Sequence, residues 1–290
     1  EKESVTLKIC VLASGSRGNS TLISSPATSI LLDAGLSGRE TLKRLDRLGV
    51  SAEDIDAIVI GHEHTDHIRG LPALCGKHGI PVYMNRATRQ AAAESLKRAR
   101  TIRIFSNGQP WRLDDLEVTG FSVFHDAQDP VGFIIRWRKH KIVVVTDLGE
   151  PTRLVEENLK GSRVIILESN HDPDLLMNGT RPWSLKQRIK GSQGHLSNQA
   201  AARLLADFGD LSLTDVFLAH ISRDCNHPDR ARQLVKENLA RAGKKDVRVR
   251  LTYQDRNSEV VEIHDRPASP DTASVISITA TAQLALKLED

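Results

Sequence analysis

Three histidines and two carboxylates crowd into Gly61-His62-Glu63-His64-Thr65-Asp66-His67. Imidazole nitrogens and carboxylate oxygens together suit zinc, manganese or iron. The alternative, a solvated turn holding histidines by chance, does not account for such density. The preceding apolar run, residues 55–60, has the length of a buried strand, so the cluster stands where the chain leaves a sheet. From there His62 and His64 can turn towards one ion while Asp66 and His67 reach a second. Three distant residues repeat the theme of a ligand type just past an apolar run: His125, Asp147 and His220. One isolated histidine is usually a satisfied structural group, but recurrence at strand ends points to a site gathered along one sheet edge.

The elements that must position these groups alternate between strand and helix patterns. Residues 7–12, 21–24 and 29–33 read as strands, and the Ser14-Gly15-Ser16-Arg17-Gly18-Asn19-Ser20 loop between the first two could hold a phosphate through backbone N–H groups. Helical spacing over 39–48 ends at Gly49, and 68–78 forms a further predicted helix closed by Gly79. A strand at 81–84, a helix over 86–100 and strands near 103–105 and 116–124 follow. Segments 133–137 and 141–145 form an expected hairpin. After a helix at 152–159 and a buried strand at 163–167, Ser197 and Asn198 stand in N-cap territory for a helix reaching Phe208. The strand 215–219 runs into His220, a helix spans 228–242, and 247–253 with 259–263 read as a closing strand pair. Many strands are neighbours in sequence, which predicts mixed sheets covered by helices rather than a purely parallel α/β fold.

Composition sets wider bounds. At 290 residues, 39% hydrophobic and 27% charged, the chain has the make-up of an ordinary globular protein. No run approaches the length of a membrane span, and the first residues lack the apolar core of a signal peptide. Cys10, Cys75 and Cys225 are odd in number and outside any C-x-x-C pattern, which predicts reduced thiols and a cytoplasmic location. A net charge of +3 permits an anionic substrate without requiring one.

The His-x-His-x-Asp-His run, a later His, the Thr146-Asp147-Leu148-Gly149 segment and a final His resemble the metallo-β-lactamase superfamily. That resemblance implies a four-layer αβ/βα sandwich, an α/β fold with two facing mixed β-sheets and metals at one rim. It implies two divalent ions, zinc or manganese with iron also compatible. His62, His64 and His125 would hold one ion, Asp66, His67 and His220 the other, and Asp147 would bridge them. The class B β-lactamases usually carry cysteine at the bridging position, and this chain does not. Gly194-His195-Leu196-Ser197-Asn198 resembles the tRNase Z segment whose histidine donates a proton. The long tRNase Z arm, however, has no room between His125 and Asp147, and the β-CASP domain has no space either.

Further segments, among them the Ser14–Ser20 loop, Leu32-Asp33-Ala34-Gly35, His125-Asp126 with Pro130-Val131-Gly132, and Glu168-Ser169-Asn170-His171-Asp172, are similar to the YycJ/WalJ family. The likeness covers about residues 7 to 230. It implies a dinuclear phosphodiester hydrolase, a 5′-to-3′ exonuclease on DNA, with a metal-bridging hydroxide as nucleophile, Asp66 in the catalytic site and His195 as general acid. Asp33 would orient a ligand histidine, while Ser16, Asn19, Asn170 and His171 would meet the substrate. The tract 181–190, in a loop before His195, interleaves cations with a tryptophan as a nucleic-acid contact would; the similar tract 136–139 reads as a hairpin tip. Rivals are a small-molecule hydrolase of the same fold (cyclic phosphodiesterase, or thioester or lactone hydrolase), an RNA-processing nuclease and a metal-binding sensor. Residues 1–265 form one expected hydrolase domain. Residues 266–290, alternating like a strand after a Pro-rich linker, read as a mobile extension or an edge strand that could build a homo-oligomer.

Overall fold

The computed structural model describes residues 5–265; the expected C-terminal extension, 266–290, lies outside them. Fourteen strands form two seven-stranded mixed sheets. In the first, β14 (Val261–Asp265), β1 (Val5–Ala13), β2 (Ser20–Ser24), β3 (Ser29–Leu32), β4 (Ala57–Val59), β5 (Val82–Met84) and β6 (Ile102–Ile104) lie in that order. The second runs β13 (Arg248–Leu251), β12 (Asp215–Ala219), β11 (Val164–Glu168), β10 (His140–Val145), β9 (Val131–Trp137), β8 (Leu116–Ser122), β7 (Pro110–Leu113). Strands β3 to β6 are parallel to one another, as are β10 to β13. Such strands are buried on both faces, which is why Val143-Val144-Val145 and Val164-Ile165-Ile166-Leu167 are continuous apolar runs rather than alternating ones.

Three apolar clusters fix the layers. Leu7, Ile9 and Ile30 of the first sheet meet Phe133, Trp137, Ile142 and Phe217 of the second between the sheets. On the outer face of the first sheet, α1 (Gly38–Asp46) and α3 (Leu71–Lys77) deliver Leu45, Leu71 and Leu74. On the outer face of the second, α5 (Arg153–Leu159), α8 (Asn198–Phe208) and α9 (Pro228–Arg241) deliver Val155, Leu205 and Val235. The result is the helix–sheet–sheet–helix sandwich, with Thr152 and Ser197 capping α5 and α8 through their hydroxyls.

Several sequence expectations need correction. The closing strands do not pair with each other: β13 joins β12 and β14 joins β1, because the chain between them crosses from one sheet to the other and Ser258 N–H docks on Val11 O at 2.9 Å. The helix expected over 68–78 is broken into α2 (Thr65–Ile68) and α3. At the break Gly70 donates to Ala34 O, and a Cβ there would meet Leu36 O at 2.6 Å. The helix expected over 86–100 is only α4 (Arg86–Ala91), continuing in i→i−3 turns that bring Ala92 and Leu96 onto the core. Tract 181–190 is no loop but holds α7 (Trp183–Lys190), preceded by α6 (Pro173–Asn178). In tract 136–139, Trp137 is fully buried and Arg138 and Lys139 pair with Asp265, so this is a structural hairpin end.

All three cysteines are free and buried; burial pushes the Cys10 thiol to about 11 and that of Cys75 to about 12. Lys141 on β10 is buried too, its Nζ donating to Lys160 O at 2.7 Å. Burial first, then the Arg136 charge, depress its amine to about 8 from 10.5. The unfolded chain therefore binds more protons than the native one between those values, so stability rises as pH climbs from 8 to 10.5. Lys141→Met should stabilise the protein by about 1–2 kcal/mol at pH 7. The gain should shrink at pH 9.5 in urea melts, and a variant less stable at both pH values would refute a burial penalty at this site.

Candidate metal centre

Five of the parallel strands deliver a residue at or just past their ends to one rim. Asp33 follows β3, His62 lies just past β4, Asp147 follows β10, Glu168 ends β11 and His220 follows β12. Asp33, Asp147 and His220 have φ of 61°, 56° and 52°. The left-handed region is costly for side chains of this kind and is held only where surroundings over-determine it. Three such residues at one rim mark it as a built site.

The seven expected ligands converge there, and Glu168 and His195 cluster with Asp147 and His220 beside them. His62, His64 and His125 offer nitrogens within 4.8 Å of one another, as do His62 and His67 with an Asp147 oxygen. Asp147 spans the groups: its Oδ2 lies 3.0 Å from His67 Nε2, and its Oδ1 lies 3.0 Å from His220 Nδ1 and 3.8 Å from His125 Nε2. Asp66 Oδ2 is 3.8 Å from His67 Nε2 and 4.0 Å from His220 Nε2. Buried His62 Nε2 and Asp147 Oδ2 have no hydrogen-bond partner. Polar atoms left so at the centre of a donor cluster, where an orphan is expensive, fit a divalent cation.

The far sides of the His67 and His125 rings are anchored, as ligand histidines require. His67 donates Nδ1–H to Asp33 Oδ2 at 2.8 Å and His125 to Gly194 O at 3.1 Å. Asn19 accepts Gly15 N–H through Oδ1 at 2.8 Å and donates from Nδ2 to Asp66 Oδ2 at 3.2 Å. Its amide thus holds Asp66. Gly35 lets this happen, since a Cβ there would fall 1.6 Å from Asp66 O.

Glu168 has no assigned role in the sequence-based site, yet it organises half of the centre. Fully buried, it accepts His195 Nδ1–H at 2.8 Å and His220 Nδ1–H at 2.9 Å on Oε1, and the Leu148 and Leu196 N–H groups on Oε2. Burial alone would raise its carboxyl, but His195 and His220 outweigh it and hold the group at about 2. The signal was available: Glu168 follows a buried strand as Asp147 does.

Electrostatics divide the imidazoles. Burial, then the charge of His67, keep His62 well below the usual range, and burial lowers His125. Burial opposes charge on His67 and His220 as well, but Asp33 and Asp147 for the first, and Asp147 and Glu168 for the second, raise them well above it. The latter two therefore carry protons at neutral pH that a cation must displace. Metal uptake should release protons and weaken as pH falls from 8 to 6. Calorimetry in buffers of different ionisation enthalpy would show it, and buffer-independent heats would contradict it.

A cavity of about 270 Å³ opens beside the centre, lined by Ser16, Arg17, Asn170, Arg181, Arg188 and His195 among others. Asn170 donates from Nδ2 to His220 O at 2.7 Å, tying the strained His220 turn. Arg188 on α7 pairs with Asp126, whose Oδ1 lies 3.2 Å from His125 Nε2. His171 does not line this cavity; it lines a second one beyond His195.

Two such sheets with this rim of ligand-type side chains define a metallo-β-lactamase fold, and the chain belongs to that superfamily: residues 28–221 match the family model described as beta-lactamase superfamily domain. Within it the protein is a YycJ/WalJ-like member and a metal-dependent hydrolase. It is 36% identical to exodeoxyribonuclease YycJ of Bacillus anthracis over 239 residues, covering 82% of this chain and 90% of that one. It is 31% identical to exodeoxyribonuclease WalJ of Streptococcus pneumoniae serotype 2 (strain D39 / NCTC 7466) over 277 residues, 94% of this chain and 98% of that one. The crystal structure of the metallo-β-lactamase fold protein YhfI from Bacillus subtilis superposes with a TM-score of 0.69 at 20% identity, over 89% of this chain and 100% of that one, a likeness of fold. Among the described residues no helix is long and apolar enough to cross a membrane.

Proposed function

We propose that the protein is a two-metal nuclease that degrades DNA from its 5′ end. The observation carrying this is the convergence of His62, His64, Asp66, His67, His125, Asp147 and His220 beside an arginine-lined cavity, in a chain similar to two exodeoxyribonucleases over most of its length. His62, His64 and His125 would hold one ion and Asp66, His67 and His220 the other, with Asp147 placed to serve both. Zinc or manganese suits the oxygen and nitrogen donors, as does iron. Bound there, two divalent cations supply an activated water and offset charge developing on phosphoryl oxygens.

The chain's own groups do the rest. Burial works against a charged His195, but the Glu168 carboxylate overrides it and raises the ring. With Nδ1–H fixed on Glu168, Nε2 is the atom free to give its proton to the leaving oxygen, the role of a general acid. Ser16 and the arginines of the cavity face the phosphate chain, and Asn19 acts through Asp66. The core shared by both sheets supports a single hydrolase domain over residues 1–265.

End-labelled single- and double-stranded DNA and RNA, digested with Mn²⁺ or Zn²⁺, test the proposal. DNA should shorten from its 5′ end and more slowly at high salt, as phosphate contacts require. His195→Ala should keep its metal and lose about 10²–10⁴-fold in turnover, with Asp66→Ala as the control. Preference for RNA would favour an RNA-processing nuclease. Cleavage of small phosphodiesters, thioesters or lactones alone would favour the small-molecule rival. Metal lost from His195→Ala would make His195 a ligand.

A further inference from the structure

His195 stands in the wall between two cavities of different character. Arg17, Arg181, Arg188 and Arg223 line the first together with Asp126 and Asp224. Arg181, Arg188 and Arg223 pair with Asp224, Asp126 and Asp255, and the excess of cations over carboxylates in the lining suits an anionic sugar-phosphate chain. The second, of about 340 Å³, lies on the other side of the ring and is walled by Pro151, Pro173, Leu176, Met177 and Ala200. Mostly apolar walls with a few fixed polar groups are what small-ligand sites of this size use. The polar lining here is Glu150, Lys190, Ser192, Ser197, His195 and His171, and of these His171 is only 3% exposed and has an Nδ1 without a hydrogen-bond partner.

His171 is held in place by its backbone, with Asn198 N–H donating to its carbonyl at 2.9 Å and a bridge to Ser197. Burial lowers its ring to about 4, so the imidazole is neutral at pH 7. A neutral ring with an unused nitrogen suits the polar edge of an uncharged flat group better than a phosphate, while proline and methionine walls suit its faces.

We infer that this second cavity is a nucleobase subsite, holding the base of the nucleotide whose oxygen leaves, with His171 contacting the base edge. The inference rests on the proposed nuclease reaction. As a water oxygen bonds to phosphorus and the phosphorus–O3′ bond breaks, the departing 3′-oxygen takes its proton from His195, which is restored by the proton the water gives up. The base of that nucleotide lies in the cavity which His195 also borders. The substrate contact expected of His171 is thereby one to the base.

Equilibrium binding of two product-like probes to the intact metal-loaded protein tests this without turnover: deoxyadenosine 5′-monophosphate and deoxyribose 5-phosphate, which lacks the base. The nucleotide should bind about tenfold more tightly, the worth of one base contact. In both His171→Ala and the cavity-filling Ala200→Leu the ratio should fall to about one, with the base-free probe unaffected. Equal binding of the two probes by the wild-type protein, or a ratio that survives both substitutions, would overturn the subsite. If the ratio holds while no DNA is cut, the nuclease proposal falls and the base pocket stands. If DNA is cut while the ratio is one, the pocket falls alone.

Discussion

An Asp147→Ala protein should fold, retain at most one of two divalent ions per chain and lose about three orders of magnitude in turnover. The carboxylate reaches both halves of the centre, at 3.0 Å from His67 and His220 and 3.8 Å from His125. Burial alone would raise its pKa, yet His220 and His67 hold it well below the carboxylate range, so it stays an anion throughout the useful pH range. Its removal leaves no uncompensated charge, because His67 and His220 lose a principal group keeping them protonated and revert towards the neutral form that burial favours. Alanine at a φ of 56° costs about 1–2 kcal/mol. Asp147→Asn, which tolerates that conformation better, separates backbone strain from lost charge. Metal content by mass spectrometry and kcat on labelled DNA are the readouts. Two ions retained by both variants at undiminished turnover would mean that Asp147 is not the shared ligand.

The legible part of this protein is what lies close together in sequence or repeats a simple pattern. His62 to His67 could be recognised because four donors fall within six positions, and His125, Asp147 and His220 because each follows an apolar run. The mixed sheets were legible for a similar reason, since adjacent strand patterns with short connections pair readily. What escaped depends on three-dimensional closure. Strands β13 and β14 look like a hairpin locally, but each finds a better partner in a different sheet. Helix α7 carries cations among few apolar positions, so it reads as a basic loop. It is stabilised by Leu185 and Ile189 packing with Leu176 and Cys225 in a small satellite core, which no local window contains. His171 shares a motif with Asn170, yet the two side chains line different cavities. Neighbours in sequence therefore received one expected role where the fold gives them two.

Glu168 is where that gap has the largest chemical consequence, and Glu168→Gln should cost about 10²-fold in turnover together with about 2–4 kcal/mol of stability. The carboxylate receives four N–H donors, two from imidazoles on Oε1 and two from backbone on Oε2. A glutamine of the same shape has one acceptor oxygen. Either its NH₂ confronts Leu148 and Leu196, or it confronts His195 and His220, and no rotation satisfies all four while both rings keep Nδ1–H. The first orientation weakens the fold; the second frees His195, the proposed proton donor, and His220, a proposed metal ligand, together. Losing the anion also removes the main influence that raises His195, so the alkaline limb of the kcat profile should move to lower pH. Stability should change its acid response as well. The native carboxyl sits near 2 against 4.5 unfolded, so its contribution is complete above 4.5 and lost as pH falls towards 2, a limb that Glu168→Gln should flatten. A residue serving only as packing would shift stability without moving the kcat profile. That outcome, with wild-type turnover, would remove Glu168 from the catalytic arrangement and leave His195 to be oriented by some other group.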